Sequence, residues 1–419
     1  MNLFSGFKNL ALRGINALAG RAFHILHPVR KPKSPLADRL LADALRLAEL
    51  PSPTVQEEQR AEFILERLSI LGINPLIDTW GNIRFRLHAP ALVNEPPLLL
   101  FADLGSCRWH PVESFSRLDA ETAQGAALAD ALGPAALLSL AEAAAGGRLR
   151  YRRDLLFLFA AGSPNASDER PFKALAEDPL NRPFAALALR GLTLGSLVTR
   201  MRGIYRMEIG FSLERRDESA QDPGNSGKDG PDEALDQTGP VPSNAVVNGM
   251  LITGQTLLRI TWDTQDTTRL YIRRIEAGAA FGKTPVEGLL EIELESSDGA
   301  QLDRALRRAQ AAAGQAASAP GLRAQARTVS AIPVGDPALN QELIKTVFTL
   351  LKEQRIKIQE ENGPDRSALL SIQGVPALSL GIALGREGRI RDTIEIASIE
   401  RGRVFLETLI TRLTWTVNR

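Results

Sequence analysis

The sequence has little of what disulfide-stapled, metal-rich or nucleic-acid-binding proteins depend on. There is one cysteine, Cys107, in 419 residues; an internal disulfide framework is excluded, and a reducing, cytoplasmic compartment is the better fit. There are four histidines, His24, His27, His88 and His110. The chain beyond His110 has none, although neutral imidazole is the commonest catalytic zinc ligand. A formal net charge of +1 supplies no basic field for nucleic acid, so no DNA or RNA partner is expected. Runs of about 18 apolar residues, the length of a membrane span, are not read anywhere. A nucleophile elbow, a phosphate loop, a Cys-x-x-Cys pair and internal repeats are all missing.

The rest is built for burial. With 44% hydrophobic and 24% charged residues the chain is neither disordered nor fibrous, and its length suits two cores at roughly 150 residues each. The N-terminus stands apart. From Met1 to Ala37 there is no acid, while Lys8, Arg13, Arg21, Arg30, Lys31 and Lys33 are basic. At about 100° per residue, Phe4, Phe7, Ile15, Leu18, Ala22 and Ile25 share a face opposite Asn2, Asn9 and Asn16. This pattern predicts an amphipathic helix and not a signal peptide, because no continuous apolar region or small-residue cleavage site follows the charges. Such a helix suits an anionic membrane, an unknown protein partner or its own domain. The prolines of "HPVRKPKSP" then break it.

From Ser34 onwards helices and buried strands alternate. "SPLADRLLADALRLAEL" and Val55 to Leu71 have helical spacing, with Ser34 as N-cap and Pro51 and Gly72 as stops. "INPLIDT" and "IRFRLHA" flank a turn at Trp80 and Gly81 and read as a hairpin. "PPLLLFADL" and "RDLLFLFAAG" are continuous apolar runs, the mark of strands covered on both faces, with a helix from Gly133 to Ala145 between them. At about Glu214 the composition changes. Residues 214–240 hold eight acids, three bases and almost nothing to bury, which predicts a disordered loop. Around it "GIYRMEIGFSLE", a helix at Asn244 to Gln255, strands "TRLYIRRIEAG" and "GLLEIELES" and a helix from Ala300 to Ala317 form an α+β unit. A helix at Leu339 to Gln354, the strand "VPALSLGIAL" and a terminal helix from Ile399 return to α/β character.

The order of these elements, with "LAELPSPTVQEEQRAEFILERLSILG", "DTWGNIRFRL", "PPLLLFADL", "GAALADALGPAALLSLAEA", "RDLLFLFAAG", "IEAGAAFGKTP" and "GVPALSLGIALG", resembles peptidase family M-twenty: the zinc aminoacylases, glutamate carboxypeptidases, desuccinylases and tripeptidases. The resemblance runs from about Leu36 to the C-terminus. It implies an α/β fold, a phosphoesterase/aminopeptidase-like three-layer domain with a mostly parallel sheet, interrupted by a smaller α+β lid. The expected organisation is an N-terminal helix and linker (1–33), the first part of the α/β domain (34–205), the lid with its acidic loop (206–320) and the second α/β part (321–419).

Members of that family hold two metal ions that polarise a carbonyl and activate a bridging water, with a glutamate as base. Position by position this sequence departs from the pattern. Asp103 and Gly105 stand where the resemblance places a His-x-Asp motif, and Ser163 and Pro164 where it places the paired glutamates, after Gly162. Arg190 takes the place of the next acidic ligand and Gly388 that of the last histidine; only Asp130, in "ADALG", keeps the type of the bridging aspartate. On the substrate side, Gly282 replaces a lid asparagine and Glu295 a lid arginine. A single catalytic zinc needs three protein ligands.

The resulting expectation is a catalytically inactive homologue acting as a binding or scaffold protein. Residues 1–26 would attach it to a membrane periphery or an assembly, and the lid offers a homodimer surface. No cofactor is expected. The alternative is a metal-dependent hydrolase of peptides or N-acyl amino acids with a relocated or non-zinc site, drawing on Asp103, His110, Asp130, Asp168 and Glu169. Asp365 is expected to cap the helix after it, and Arg190 and Glu295 to pair across the cleft.

Overall fold

The computed structural model describes residues 34–50, 52, 57–90, 95–106, 115–162, 170–179, 181–213, 244–262, 268–278, 283–319 and 321–415. The basic N-terminal segment and the acidic stretch 214–240 lie outside the described residues. In chain order the elements are α1 (Pro35–Glu49), α2 (Glu58–Ile70), β1 (Leu76–Ile77), β2 (Ile83–Leu87), β3 (Leu98–Asp103), β4 (Arg117–Leu118), β5 (Thr122–Gly125), α3 (Leu128–Ala145) and β6 (Leu155–Ala160). Next come α4 (Arg170–Glu177), β7 (Ala185–Leu192), β8 (Ser196–Leu213), α5 (Ala245–Trp262), β9 (Arg269–Ala277), β10 (Glu287–Ser296), α6 (Gly299–Ala316) and β11 (Leu322–Ile332). The last are α7 (Gln341–Glu353), β12 (Gln359–Pro364), α8 (Ala368–Ser371), β13 (Ala377–Ala383), β14 (Gly385–Arg386), β15 (Asp392–Glu395) and α9 (Ile396–Trp415).

The apolar runs make the centre of the large sheet. Its order is β1-β2-β6-β3-β7-β13-β8, with β12 also on β8. β6, β3, β7 and β13 run parallel, and β2 is antiparallel to β6. Every residue of β6 and of β13 is buried, as a parallel strand between two helical layers requires. β8 then continues beyond this sheet as the spine of a second, antiparallel one, flanked by β10 and β11, with β9 outside β10. The second sheet has its own core of Met207, Ile209, Phe211, Leu290, Ile292, Leu294 and residues of α5 and α6. Its strands begin at Gly203 and end at Ile332, across the sequence-read borders at 206 and 320. The mixed α/β class and the α+β lid are as the sequence predicts.

α3 starts at Leu128, five residues before the sequence-read start at Gly133. The chain enters it through Ala127, at φ 56°, with no side-chain cap, so the usual Ser, Thr, Asp or Asn start signal does not exist to be read. It is long and apolar enough to cross a membrane by length and composition, contrary to the sequence reading, and 89% of it is buried inside the protein. It is the core helix against β7. A Cβ on Gly133 would lie 2.4 Å from the Leu189 carbonyl oxygen, and one on Gly191 would lie 1.7 Å from that of Ala129. Helix and strand backbones therefore touch, which brings the first turn of α3, with Asp130, beside the end of β7, with Arg190. α5 also outruns its reading, ending at Trp262 and not near Gln255.

Candidate functional site

Parallel α/β sheets bind ligands beyond the C-terminal ends of their strands, and a cleft of about 260 Å³ opens there. Its walls include Asp103 at the end of β3, Gly105, Asp130, Arg190 on β7, Asp365 and Arg366 after β12, Ser379 on β13, and Glu387. The backbone path explains each placement. β3 is pinned past its end by Arg60 of α2, which is fully buried and donates from Nε to the Leu47 carbonyl at 2.8 Å and from Nη1 to the Leu104 carbonyl at 2.7 Å. Burial lowers the Arg60 pKa to about 10 against the attraction of Asp130 and Glu57. Arg60, Ile64 and Leu68 recur every fourth residue as the buried stripe of α2.

The carboxylates of the cleft are tied to the protein. Asp130 accepts from the Ser106 hydroxyl at 2.5 Å. Asp365 accepts from the Ser367 backbone N–H at 2.8 Å, from the Ser367 hydroxyl and from the Ser379 hydroxyl at 2.6 Å; the N-cap of the following helix is Ser367, with no side-chain cap hydrogen bond, so Asp365 braces the residue before the helix instead of capping it. Asp103 forms an ion pair with Arg366 Nη1, whose second acceptor is the Gly162 carbonyl at 2.9 Å. Burial pushes the Asp103 carboxyl above its ordinary value, helped by Asp365 and Asp130; the Arg366 guanidinium pulls the other way and does not cancel the shift. Arg366 is buried, with 3% of its side chain exposed, and its guanidinium lies 4.9 Å from the centre of the Phe172 ring. Its Nε and Nη2 have no hydrogen-bond partner among the described residues.

The structure brings Asp103, Gly105, Asp130 and Arg190 together in this cleft. Arg190 and Glu295 do not form the expected pair. Arg190 Nη1 donates to Glu361 at 3.0 Å, and Glu295 is bridged by Arg202 at 2.5 Å. The reason is register: Glu295 sits on β10 opposite Ile204 of the lid, whereas Arg190 belongs to the parallel sheet, and each finds an ion of opposite sign on a strand of its own sheet or the one adjoining. Burial lowers the Arg190 pKa, but Asp365, Glu361 and Glu387 outweigh it and the net shift is upward. Gly388 lies in the β14–β15 turn, where an added Cβ would come 1.9 Å from the Arg391 carbonyl oxygen. Ser163, Pro164, Gly282, Cys107, His110, Asp168 and Glu169 lie outside the described residues. Arg60 and Arg366 escaped the sequence reading. The four-residue spacing of Arg60 with Ile64 and Leu68 was the one usable signal; for Arg366 none existed.

No family model and no curated protein matches this chain. Solved structures do match. A Bacillus subtilis protein described as a dinuclear metal-binding peptidase of the M-twenty family aligns over 91% of this chain and 99% of its own, at TM-score 0.59 and 15% identity. A tripeptidase from Staphylococcus aureus aligns over 91% and 99%, at TM-score 0.64 and 14% identity. An amidase of the hydantoinase/carbamoylase family from Burkholderia vietnamiensis aligns over 92% and 100%, at TM-score 0.62 and 12% identity.

The fold is that of the M-twenty metallopeptidases and related amidohydrolases. The expectation that no cofactor is involved is corrected by these neighbours: one of them is a dinuclear metal-binding peptidase matched over nearly its whole length, so divalent metal belongs to the chemistry this metallopeptidase fold carries. Among the described residues, no three His, Cys, Asp or Glu side chains gather as a metal site, and a guanidinium occupies the Asp103 carboxylate. The described residues do not by themselves fit a dinuclear centre.

Proposed function

We propose that this chain is a binding protein on a metallopeptidase fold, holding a ligand in the cleft without hydrolysing it. The observation that carries the reading is the Arg366–Asp103 ion pair at the end of β3, the place to which the resemblance assigns the first metal motif. That guanidinium takes up the carboxylate a metal at this place would need as a ligand. Arg190, where an anionic ligand would be needed, and Gly388, whose turn has no room for an imidazole, support the same reading. Metal content remains a separate measurement. The basic segment 1–26 is proposed as the attachment to an anionic membrane surface, and the lid as the contact between two copies.

A hydrolase holding divalent metal is the second reading, favoured by the dinuclear fold neighbour and by Asp103 and Asp130 lining one cleft. The deciding experiment uses untagged full-length protein, with metal counted by elemental mass spectrometry before and after incubation with zinc, manganese or magnesium. The same samples are assayed against peptides and N-acyl amino acids. The binding reading expects no metal-dependent turnover. Turnover that Asp130→Ala abolishes would establish the hydrolase instead.

A further inference from the structure

Arg366 lines the cleft with Nη1 committed and, among the described residues, two other nitrogens buried without a partner. Nη1 is committed to Asp103 and to the Gly162 carbonyl, and the guanidinium carbon lies 4.9 Å from the centre of the Phe172 ring. These contacts fix the planar group in one orientation. Nε and Nη2 are buried and have no partner among the described residues, and they form the side edge of the guanidinium, two parallel N–H donors spaced to match the two oxygens of a carboxylate or phosphate. A buried charged donor left unmade is costly, and native proteins rarely keep one without a use.

We propose that the Nε/Nη2 edge of Arg366 is a binding site for the oxyanion group of a ligand, with Arg190 as the second cation of the same cleft. The proposal rests on the binding-protein reading and names the chemistry of its ligand: an anion, where the fold's metallopeptidase members hold cations. The neighbouring acids do not forbid it. Asp103 is matched by Arg366 itself, Asp130 is bonded to Ser106 and attracted by Arg60, and Asp365 is held by Ser367 and Ser379. The free donors are sealed from bulk water, so a side chain at the cleft wall must move to admit the oxyanion, and the hydrogen bonds formed are made in a desolvated place where they are strongest.

The test is calorimetric titration of inorganic phosphate, and separately of acetate, into the full-length protein at constant ionic strength. Saturable binding of one oxyanion per chain is expected. Arg366→Lys, which keeps the charge and loses the fork, should weaken it about tenfold or more, and Arg190→Gln should weaken it less. Phosphate tighter than acetate would mark a phosphate-bearing ligand; the reverse order would mark a carboxylate. Crystals of the unaltered protein soaked in phosphate supply a readout that needs no variant, with density on the Nε/Nη2 edge expected. Absence of saturable heat together with a vacant edge after soaking, or equal affinity in folded Arg366→Lys, would overturn the site. The same samples, loaded with zinc or manganese, are assayed for hydrolysis. Turnover would overturn the binding-protein reading whatever the titration gives, whereas silence in both overturns the oxyanion site alone.

Discussion

Arg60 keeps a positive charge entirely away from water, and its Nε and Nη1 contacts on the Leu47 and Leu104 carbonyls are what make that tolerable. Removing the side chain abandons both carbonyls and loosens the end of β3. Arg60→Met is expected to cost about 2–4 kcal/mol, since two buried carbonyls lose their donor at about 1–3 kcal/mol each while a buried charge is removed, read as a lower urea midpoint at unchanged slope. Gly388 makes a second argument at this scale. Its Cβ direction is blocked by the Arg391 carbonyl oxygen at 1.9 Å, so Gly388→His cannot rebuild a ligand by substitution alone. The variant should melt at lower temperature and bind no more zinc than the parent; stoichiometric zinc gained without loss of stability would contradict the turn geometry. Arg366 and Arg60 also mark where sequence reading stops. Both are arginines whose meaning depends on which carbonyl or carboxylate a distant strand delivers, Leu104 to one and Asp103 to the other, and no spacing in the chain records those encounters.

Helices α1, α2 and α3 are locked by charges on one side of the sheet. Glu142 of α3 accepts from Arg39 of α1 at 2.5 Å and from Arg148 at 3.2 Å, with Arg67 of α2 at 3.6 Å; Arg67 also chelates Asp43 of α1. Burial pushes the Glu142 carboxyl up, but the hydrogen bonds and charges of Arg39 and Arg148 hold it net below its ordinary value. In acid the unfolded chain therefore takes up this proton first, so the stabilisation is complete above the ordinary glutamate range and is lost as pH falls through the folded value. Glu142→Gln is expected to cost about 1–2 kcal/mol at pH 7, since two of its arginines are half exposed. The gap from the parent should close below about pH 4, as urea midpoints across that range would show; a gap independent of pH would mean that packing, not charge, holds the three helices. Elements were the legible level of this chain. β3, β6 and β13 announce themselves as unbroken apolar runs and α7 by its periodicity, whereas the left-handed entry at Ala127 hid the first turn of α3 and with it the reason Asp130 faces the cleft.

For the whole molecule, the fold was readable because the order of elements is carried in many weak strings at once, each set by burial, and together they resemble those of the M-twenty fold. The chemistry was readable only as substitutions at matched positions; what fills those positions required three dimensions, since the Arg366–Asp103 pair joins residues 263 apart in sequence. The prediction at this scale concerns the basic segment 1–26. Full-length protein should sediment with vesicles containing phosphatidylserine, less so as salt rises, and a chain starting at residue 34 should stay in the supernatant; equal behaviour of the two would remove the membrane from the proposal. β8 has a further consequence. A single 18-residue strand is hydrogen-bonded to β12 and β13 at one end and to β10 and β11 at the other. It is a bar of backbone shared by both sheets, so any twist of one sheet against the other would have to be carried as torsion along this strand.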